Sequence, residues 1–459
     1  MRLSLCLIAR DEEKMLPGCL SSVQDVVDEM VVVDTGSRDA TRAIASSFGA
    51  VVIDAPWQDD FSAPRNLAAR RATGDFILLL DADERLAPGG GATLRDALRG
   101  ADFDIGFVRL HNASCLDAAL GDVVSGVARS GYPGLLPRVL RRTPDLEWRG
   151  VVHESVWEWW VRRGRRGARL EVDLVHLGGI QSVREERKKG QRNVRLLVRR
   201  CELEPEDPTA LGYLAMELIA LGQSDEAARV AERGWNSIDV QLPCPPVRRL
   251  AIARALCALE AGAPDRARES VERAAAFEGQ HPDFAFLRAC ADELIAVAAP
   301  AGSEERRRGL EAAIAGYALA LELLGKEVEQ VIAAEAPRVL IRLGNVLLGV
   351  GRASAARVTF ASAREVGGGN EAAWGEAEAL AMGGDPSAAL RHLEPTFDTS
   401  PDGWAVAALC ARALGASADA RLFVTRARAC APRGFASPLR GERLIELEAA
   451  LGNPAWGQP

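Results

Sequence analysis

The stretch that most constrains the fold is residues 76–85, in which five apolar residues run directly into Asp81, Ala82 and Asp83. A short unbroken apolar run, bounded by Gly74 and an acidic turn, is typical of a strand buried on both faces of a sheet. Ligands of open α/β sheets gather at the carboxyl ends of such strands. Since Mg²⁺ and Mn²⁺ prefer oxygen ligands, two carboxylates one residue apart indicate either a metal site or a polar turn that closes the strand.

The composition is that of an ordinary globular protein, with 459 residues, 48% of them hydrophobic, and a net charge of −8. This length has room for roughly two to four domains. The negative charge argues against a general nucleic-acid-binding protein. Nine cysteines without a CxxC pair predict reduced thiols in a cytoplasmic protein. The apolar start is too short for a signal peptide, and no apolar run approaches the ~20 residues that cross a bilayer, so no transmembrane segment is expected.

Strand and helix patterns alternate through the first part of the chain. Apolar runs at residues 3–8, 30–33 and 51–53 predict strands, and apolar residues at spacings of three and four between them predict helices. This alternation is typical of βαβ units and a parallel sheet. The turn after the first strand lacks GxGxxG, and the chain lacks a P-loop, so no glycine loop is available to hold a diphosphate. A metal on Asp81 and Asp83 would be the natural substitute.

The region that follows, up to residue 200, is less regular. It is predicted to contain strands at 105–110, 135–140 and 170–176 and a glycine-rich loop at 121–134. After residue 129, Lys and Arg outnumber Asp and Glu, which indicates an anionic substrate near the acidic metal site. For residues 184–200, a solvated helix face explains the charges equally well.

From about residue 205 the chain becomes rich in Ala, Leu, Arg and Glu and is predicted to be helical. One phrase recurs, a glycine five residues before an alanine: Gly222 and Ala227, Gly262 and Ala267, Gly351 and Ala356, Gly384 and Ala389, and Gly415 and Ala420. The glycines are 40, 89, 33 and 31 residues apart. A period of about 34 residues predicts tetratricopeptide-like helix pairs, with two degenerate units in the longest gap and repeats that begin near Pro208, Pro282 and Pro401.

A solenoid of such helix pairs predicts two kinds of partner. Its concave face is a groove for an extended polypeptide, and an open apolar end face favours a homodimer. Within residues 440–451, four apolar residues near helical spacing are a candidate for such a face: Leu444, Ile445, Leu447 and Leu451. Packing of this stripe on a neighbouring helix of the same chain is the alternative.

Five stretches occur in the order in which family 2 glycosyltransferases have them: residues 5–13 (LCLIARDEE), 31–39 (VVVDTGSRD), 61–66 (FSAPRN), 72–84 (ATGDFILLLDADE) and 152–154 (VHE). The chain resembles this family, of the GT-A fold, over most of residues 1 to about 180. With the helical half, its layout is also similar to the bacterial subgroup that includes the sublancin-type peptide S-glycosyltransferases. The resemblance implies an α/β GT-A domain with a Rossmann-like mixed sheet at residues 1–200. An all-α tetratricopeptide-like solenoid would follow at residues 201–459.

The resemblance implies roles for residues at the strand ends. Asp34 would bind the base or the ribose of a nucleotide-sugar, with the backbone of Ala9 and the side chain of Asp11 beside the base. The family usually has Asn where this chain has Asp11. Arg65 would reach the nucleotide. Asp34 and Asp39 are also explained as turn or helix-cap residues.

The resemblance also assigns the surroundings of a divalent metal, Mg²⁺ or Mn²⁺. Asp81 would hold the ribose and support the metal, with Ala82 beside the nucleotide-sugar. Asp83 would bind the metal directly. His176 ends a predicted strand and is either a further metal ligand or a core histidine.

Sugar transfer with inversion needs a base for the acceptor's proton and stabilisation of the diphosphate that leaves. Glu154 is the candidate base, beside His153. The alternative is a buried His–Glu pair that orders the loop.

These residues predict a metal-dependent inverting glycosyltransferase of the hexosyltransferase class. Its donor would be a nucleotide-sugar, with a UDP-sugar expected first, and its acceptor a peptide, a protein or a glycan. Three alternatives remain: a scaffold or adaptor with a degenerate transferase domain, a transferase for cell-surface polysaccharide or lipid precursors, and a nucleotidyltransferase. The last would normally have a glycine- and basic-rich loop after the first strand, which this chain lacks.

Overall fold

The computed structural model describes residues 1–178, 180, 189–238, 247–326, 332–393, 400–430 and 438–451. They form two compact units, residues 1–253 and the described residues from 254 onward. Part of the basic run predicted at 184–200 lies outside the described residues, because 184–188 are not among them. The domain boundary between residues 200 and 201 stays a prediction.

The strands of the described residues form one eight-stranded mixed sheet. In chain order they are β1 (Leu3–Ala9), β2 (Glu29–Asp34), β3 (Val51–Asp54), β4 (Phe76–Leu79), β5 (Glu84–Leu86), β6 (Ile105–Asn112), β7 (Gly134–Arg141) and β8 (Gly167–His176). Across the sheet the order is β3-β2-β1-β4-β7-β6-β8-β5. The first four strands are parallel, as the alternation of strand and helix predicts, and β7 is antiparallel to β4. The carboxyl ends of these four strands therefore meet at one edge of the sheet, where α/β folds bind ligands.

Helices pack on both faces of this sheet. They are α1 (Leu16–Val23), α2 (Thr41–Ser47), α3 (Ser62–Arg71), α4 (Gly90–Arg99) and α5 (Leu120–Ser125), with a π-helix at Glu158–Arg162. In β4, Phe76 and Leu78 face the core layer that contains α1 and α4, and Ile77 and Leu79 face the layer that contains α3. Because successive strand residues point to opposite faces, a strand that is buried on both sides is apolar throughout.

One local prediction differs from the structure. The glycine-rich segment 121–134 is not all loop, because α5 occupies its start, where Val123 is buried in a small apolar cluster. The acidic turn after β4 is short, because Glu84 already begins β5, which pairs with β8 in antiparallel fashion.

The rest of the described chain is helical. The helices are α6 (Lys189–Leu203), α7 (Pro208–Ala220), α8 (Ser224–Asn236), α9 (Arg248–Glu260), α10 (Pro264–Glu278), α11 (Pro282–Ala298), α12 (Glu304–Leu324), α13 (Ala336–Gly349), α14 (Ala353–Glu365), α15 (Gly369–Met382), α16 (Pro386–Leu393), α17 (Pro401–Ala413), α18 (Ser417–Cys430) and α19 (Pro438–Ala450). None of these described helices has the length and apolar character needed to span a bilayer.

The recurrent Gly–Ala phrase marks the turn and the close contact within helix pairs. Its five glycines have φ between +69° and +95°, which glycine adopts without a steric penalty. Its five alanines are fully buried, as expected where stacked helices approach each other closely. Pro208, Pro282 and Pro401 each begin a helix, where a missing amide proton costs nothing. The prediction of an α/β domain followed by a tetratricopeptide-like solenoid is confirmed.

The number of helix pairs in the gap of 89 residues between Gly262 and Gly351 differs from the prediction. Among the described residues the gap holds one further helix pair, α11 and α12, rather than two degenerate units. These helices have 17 and 21 residues, so a single long pair fills the space. Gly302, with φ +76°, lies in the turn between them.

The last helix, α19, packs within its own unit through a buried charge cluster. Arg440 donates from Nε to Glu378 at 2.8 Å and from Nη1 to Asp402 at 2.5 Å, and all three side chains are buried. Leu444 and Leu447 of the same helix are buried in an apolar cluster with residues of α17 and α18. Leu451 packs against the same cluster, whereas Ile445 is exposed. Three of the four stripe residues therefore pack on their own chain, and the homodimer stays a prediction.

We expect Arg440→Met to destabilise the second unit by about 3–5 kcal/mol, because it leaves two buried carboxylates without their shared partner. Denaturant unfolding followed by circular dichroism measures the change. Arg412→Met, which removes an exposed arginine of α17, is the control and should change the free energy of unfolding by less than about 0.5 kcal/mol. Equal stabilities of the two variants would contradict a structural role for the cluster.

Candidate active site

Asp34 ends β2 and is fully buried at the edge of the sheet, opposite Ala9 at the end of β1. Its Oδ2 accepts hydrogen bonds from the amides of Gly36 and Ser37 at 3.1 and 3.0 Å. Its Oδ1 is buried and has no hydrogen-bond partner among the described residues. Because buried polar atoms in folded proteins are nearly always paired, this oxygen is suited to accept a hydrogen bond from a ligand.

Asp11 joins the loops that follow β1 and β2. Its Oδ1 accepts a hydrogen bond from the amide of Arg38 at 2.7 Å, and its own amide donates to Ser37 Oγ at 3.0 Å. Its φ of +54° is uncommon outside glycine, and Asp tolerates it better than most residues. The carbonyl of Ala9 accepts a hydrogen bond from the amide of Thr35 at 2.9 Å. Both predicted residues therefore bind the loop that follows the buried carboxylate of β2.

Asp39 is a turn residue just before α2, whose N-cap is Ala40. Its Oδ1 accepts hydrogen bonds from the amide and the hydroxyl of Thr41 at 3.0 and 2.5 Å, and its Oδ2 accepts one from the amide of Glu13 at 3.0 Å. Of the two interpretations, turn or helix cap, the turn therefore suits Asp39, whereas Asp34 lies at the end of a strand.

Arg65 on α3 is buried and connects two of the predicted site residues. Its Nη2 donates to Asp81 Oδ1 at 2.9 Å, and its Nε donates to Glu154 Oε1. Its Nη1 is buried without a hydrogen-bond partner in the described part of the chain. The guanidinium thus fixes the candidate base relative to the end of β4 and keeps one donor for a further acceptor.

Two residues of this network were not predicted from the sequence. Arg138 on β7 lies 3.4 Å from Asp81 Oδ2 and 2.5 Å from Glu84 Oε1, both measured from its Nη2. The second carboxylate oxygen of Glu84 accepts a hydrogen bond from the amide of Asp81 at 3.1 Å. A signal for Glu84 was its position directly after Asp83 in the acidic run. Arg138 had none, because only the pairing of β4 with β7 brings it here.

The charges around Asp81 set its protonation. Burial raises the pKa of this carboxyl, but Arg65 and Arg138 lower it more, so its pKa lies well below the ordinary value. Burial raises the pKa of Glu84, against the effect of Arg138. The side chain of Asp81 is 37% exposed, so an ionised carboxylate faces the open edge of the sheet. Ala82 is buried and offers no side chain to a ligand.

Asp83 and His176 face each other at the ends of the turn after β4 and of β8. His176 Nε2 lies 3.7 Å from Asp83 Oδ1. His176 Nδ1 lies 2.8 Å from the side-chain oxygen of Asn112. Because that oxygen can only accept, Nδ1 carries the proton and the lone pair of Nε2 points toward the carboxylate when the ring is neutral. A Cβ at Gly178 would lie 1.9 Å from Asp83 Oδ2, so only glycine leaves room for this carboxylate.

An imidazole lone pair beside a carboxylate suits a divalent cation, and a hydrogen bond from the other ring nitrogen, here to Asn112, orients a histidine that binds a metal. Within the described residues no group of three or more His, Cys, Asp or Glu side chains could enclose a metal ion. Asp83 and His176 are the pair that could hold such an ion, with phosphate or water oxygens as further ligands. The oxygens of Asp81, the third predicted metal residue, face Arg65 and Arg138.

His153 contacts Tyr213, whereas its neighbour Glu154 binds Arg65. His153 has φ +49°, and its ring stacks on Tyr213 with the ring centres 3.7 Å apart and an angle of 5° between the planes. Its Nε2 is buried without a hydrogen-bond partner in the parts that the structure describes. Burial, with the charges of Arg249 and Arg200, lowers the pKa of His153 to about 4.

The predicted residues thus form three neighbouring groups. Ala9, Asp11 and Asp34 lie at the ends of β1 and β2. The second group contains Arg65, Asp81 and Glu154. The third contains Asp83 and His176. His153 belongs to the loop of the second group, but its ring faces a helix.

Residues 4–119 match the family model described as glycosyl transferase family 2. Over residues 4–119 the chain is therefore similar to the family 2 glycosyltransferases. A TPR repeat-containing protein of Synechococcus elongatus is 43% identical to this chain over 155 residues, which are 34% of this chain and 35% of that protein. The SPbeta prophage-derived glycosyltransferase SunS of Bacillus subtilis is 26% identical over 233 residues, 50% of this chain and 52% of that protein. The chain thus spans about a third to a half of the length of these two relatives.

Among solved structures, a tetratricopeptide repeat protein from Parabacteroides merdae has a TM-score of 0.40 and 15% identity. The aligned region covers 59% of this chain and 95% of that chain. A score this low supports no functional argument.

The low pKa of His153 predicts a pH-dependent stability. Between pH 4 and 6.5 the unfolded chain binds a proton at this position that the folded chain does not, so stability falls as the pH falls through this range. The loss attributable to His153 reaches about 3 kcal/mol near pH 4. In His153→Phe, which keeps a ring against Tyr213, unfolding measured from pH 7 to 4 should show a correspondingly weaker pH dependence. Identical dependence in both proteins would contradict this assignment.

Proposed function

We propose that this chain is a metal-dependent inverting glycosyltransferase that moves a sugar from a UDP-sugar to a peptide or protein. The observation that carries the proposal is the buried guanidinium of Arg65, joined to Asp81 at the end of β4 and to the candidate base Glu154. This contact puts a base beside the edge of the sheet where a donor would bind. The family 2 domain supports the same reaction class.

The nucleotide would bind at the ends of β1 and β2. Asp34 Oδ1 is a buried acceptor that lacks a partner in the described chain, and the imide N–H of uracil or a ribose hydroxyl is a donor that suits it. The loops that carry Ala9 and Asp11 are tied together beside it. Since Oδ1 is buried, these loops would have to shift for a nucleotide to reach it.

Asp83 and His176 would hold Mg²⁺ or Mn²⁺, which supplies a Lewis acid for the diphosphate leaving group when bound. The carboxylates of Asp81 and Glu154 bind Arg65, and those of Asp81 and Glu84 lie against Arg138. Asp83 also feels the charge of the buried Arg85. The observation that supports a cation is therefore the approach of His176 Nε2 to Asp83.

Glu154 would take the proton from the acceptor as the acceptor attacks the anomeric carbon. Its pairing with Arg65 keeps the carboxylate in one orientation. Since Arg65 also holds Asp81, the distance between base and donor site is fixed by one rigid group, which is what an oriented reaction requires. A scaffold with a degenerate transferase domain would not need this arrangement.

The acceptor is proposed from the helical half. Stacked helix pairs form extended grooves that bind polypeptides. In the second unit, α10, α11 and α12 line a cavity of ≈ 360 Å³ whose wall includes Phe284, Leu319 and Asp292. Mainly apolar walls with a few polar groups are typical of ligand-binding sites, and a side chain of a bound peptide is the ligand proposed for this one.

A screen of UDP-, GDP- and dTDP-sugars with Mn²⁺ tests the donor, because a ligand that binds the folded state raises its stability by RT ln(1 + [L]/Kd). Transfer is then measured with peptides, polysaccharides and lipid precursors as acceptors. Transfer only to the last two classes would replace the peptide by the alternative acceptors. No stabilisation by any donor would favour a scaffold.

We expect Asp83→Asn to abolish transfer and to leave the fold intact, because it removes one of two protein ligands of the metal. Activity with Mn²⁺ and with a chelator, and a circular dichroism spectrum, measure both effects. Asp96→Asn changes an exposed aspartate of α4 and is expected to keep full activity. Near-normal turnover of the wild type in the presence of a chelator would exclude a metal-dependent mechanism.

Glu154→Gln is expected to lower turnover by about 10²-fold or more, because the amide cannot accept the acceptor's proton. Binding of UDP, measured by calorimetry, should change little. Glu147→Gln, at an exposed position of the preceding loop, is the matched control. If UDP binding falls and turnover holds, Glu154 is a ligand or a structural residue.

A further inference from the structure

Two residues beyond the matched family domain contact the loop that carries Glu154. They are Arg200, near the end of α6, and Tyr213 on α7. Both lie within the first compact unit, residues 1–253. Arg200 ends the basic run 184–200, for which the sequence left open an anionic substrate or a solvated helix face, and Tyr213 was not singled out.

Arg200 binds the backbone immediately before Glu154. Its Nη1 donates to the carbonyl oxygens of Val152 and His153 at 2.7 and 3.0 Å. Its guanidinium is itself held by two carboxylates, through Nη2 to Asp207 at 2.7 Å and through Nε to Glu204 at 3.0 Å. Because its Nε and Nη2 both bind carboxylates, the planar guanidinium cannot turn away from the two carbonyls without breaking these charge-assisted hydrogen bonds.

Gly150 makes this approach possible. Its φ is +94°, and a Cβ there would lie 2.5 Å from Arg200 Cζ. The loop therefore comes so close to the guanidinium that any side chain at this position would collide with it.

Tyr213 contacts His153, the residue directly before Glu154. Its ring stacks in parallel on His153, with 3.7 Å between ring centres. Arg249 lies against the same tyrosine, with its Cζ 4.1 Å from the ring centre and its Nη2 3.1 Å from the hydroxyl. His153 has φ +49°, a conformation that costs an L-residue about 1–2 kcal/mol. Contacts on its ring and on its carbonyl keep it there.

Helix α6 also contacts the segment that precedes Arg65. Arg195 and Arg199 bind the side chain and the carbonyl of Asp59 at 2.7 and 3.3 Å. The amide of Phe61, two residues after Asp59, donates a hydrogen bond to the carbonyl of Val151 at 2.9 Å. The same helix thus fixes the two segments whose side chains form the Arg65–Glu154 pair.

We propose that Arg200 and Tyr213 are positioning residues for Glu154, so that the first helices of the helical half complete the site of sugar transfer. The proposal rests on the proposed function, in which Glu154 is the base. Neither residue touches a reacting atom; each acts through the backbone or ring of residues 152–153. Because a displacement of about 1 Å at a reacting group can cost about 10²-fold in rate, small shifts of this loop matter.

The test uses the full-length chain with Tyr213→Ala, Tyr213→Phe and Arg200→Met. Tyr213→Ala and Arg200→Met should lower kcat by about 10²-fold at an unchanged donor KM. Tyr213→Phe keeps the stacked ring and should restore most of kcat. A purely structural role would lower the amount of folded enzyme and would not separate kcat from KM in this way.

Hydrogen exchange of the amides of residues 150–156 is the second measurement, and it does not depend on activity. It should become faster in Tyr213→Ala and Arg200→Met and stay slow in Tyr213→Phe. Tyr317→Ala is the control, since it removes a buried tyrosine of the second unit that bonds Glu293; it should leave this exchange unchanged.

Retained kcat in Tyr213→Ala and Arg200→Met, or exchange no faster than in the wild type, would overturn the positioning role. A wild type that transfers no sugar from any donor would instead overturn the proposed function. In that case faster exchange in the two variants still supports the contact of the helices with the loop, and unchanged exchange contradicts it.

Discussion

A single buried guanidinium, that of Arg65, holds together the parts of the site. It joins a strand end through Asp81 and a distant loop through Glu154. Removing any one of the three would leave a charge with poor solvation, and such losses cost several kcal/mol. The distance between the end of β4 and the loop of Glu154 therefore depends on the charges of these three side chains, because moving the loop breaks an ion pair.

This coupling continues across the sheet. Asp81 uses its second oxygen toward Arg138 on β7, and Arg138 also binds Glu84 on β5. Since β4 pairs with β7, and β5 pairs with β8, which carries His176, the antiparallel half of the sheet delivers groups to the ends of the parallel half. A mixed sheet thus brings together side chains that a purely parallel sheet would leave on separate edges.

The features predicted correctly from the sequence are those that depend on residues close together in the chain. The strand before Asp81 and the Gly–Ala phrase depend on neighbours within a few residues, and both were predicted correctly. Arg138 and Asn112 were missed, because their roles arise from strand pairing between distant segments, and hydrophobic patterns do not define that register. Glu84 had a local signal, its place directly after Asp83, but only its contact with Arg138 shows its part in the network. The helix pair in the longest repeat gap was misjudged, because its two long helices hide the usual period.

The chemistry also argues for where the transferase part of the chain ends. The family match stops at residue 119, yet Glu154, His176 and Arg200 lie beyond it. A boundary after residue 200 would separate Arg200 from Glu204 and Asp207, the two carboxylates that hold its guanidinium. An arginine without those partners would be free to leave the carbonyls of the loop. The part that can form this site therefore extends into the first helix pair, in agreement with the compact unit of residues 1–253.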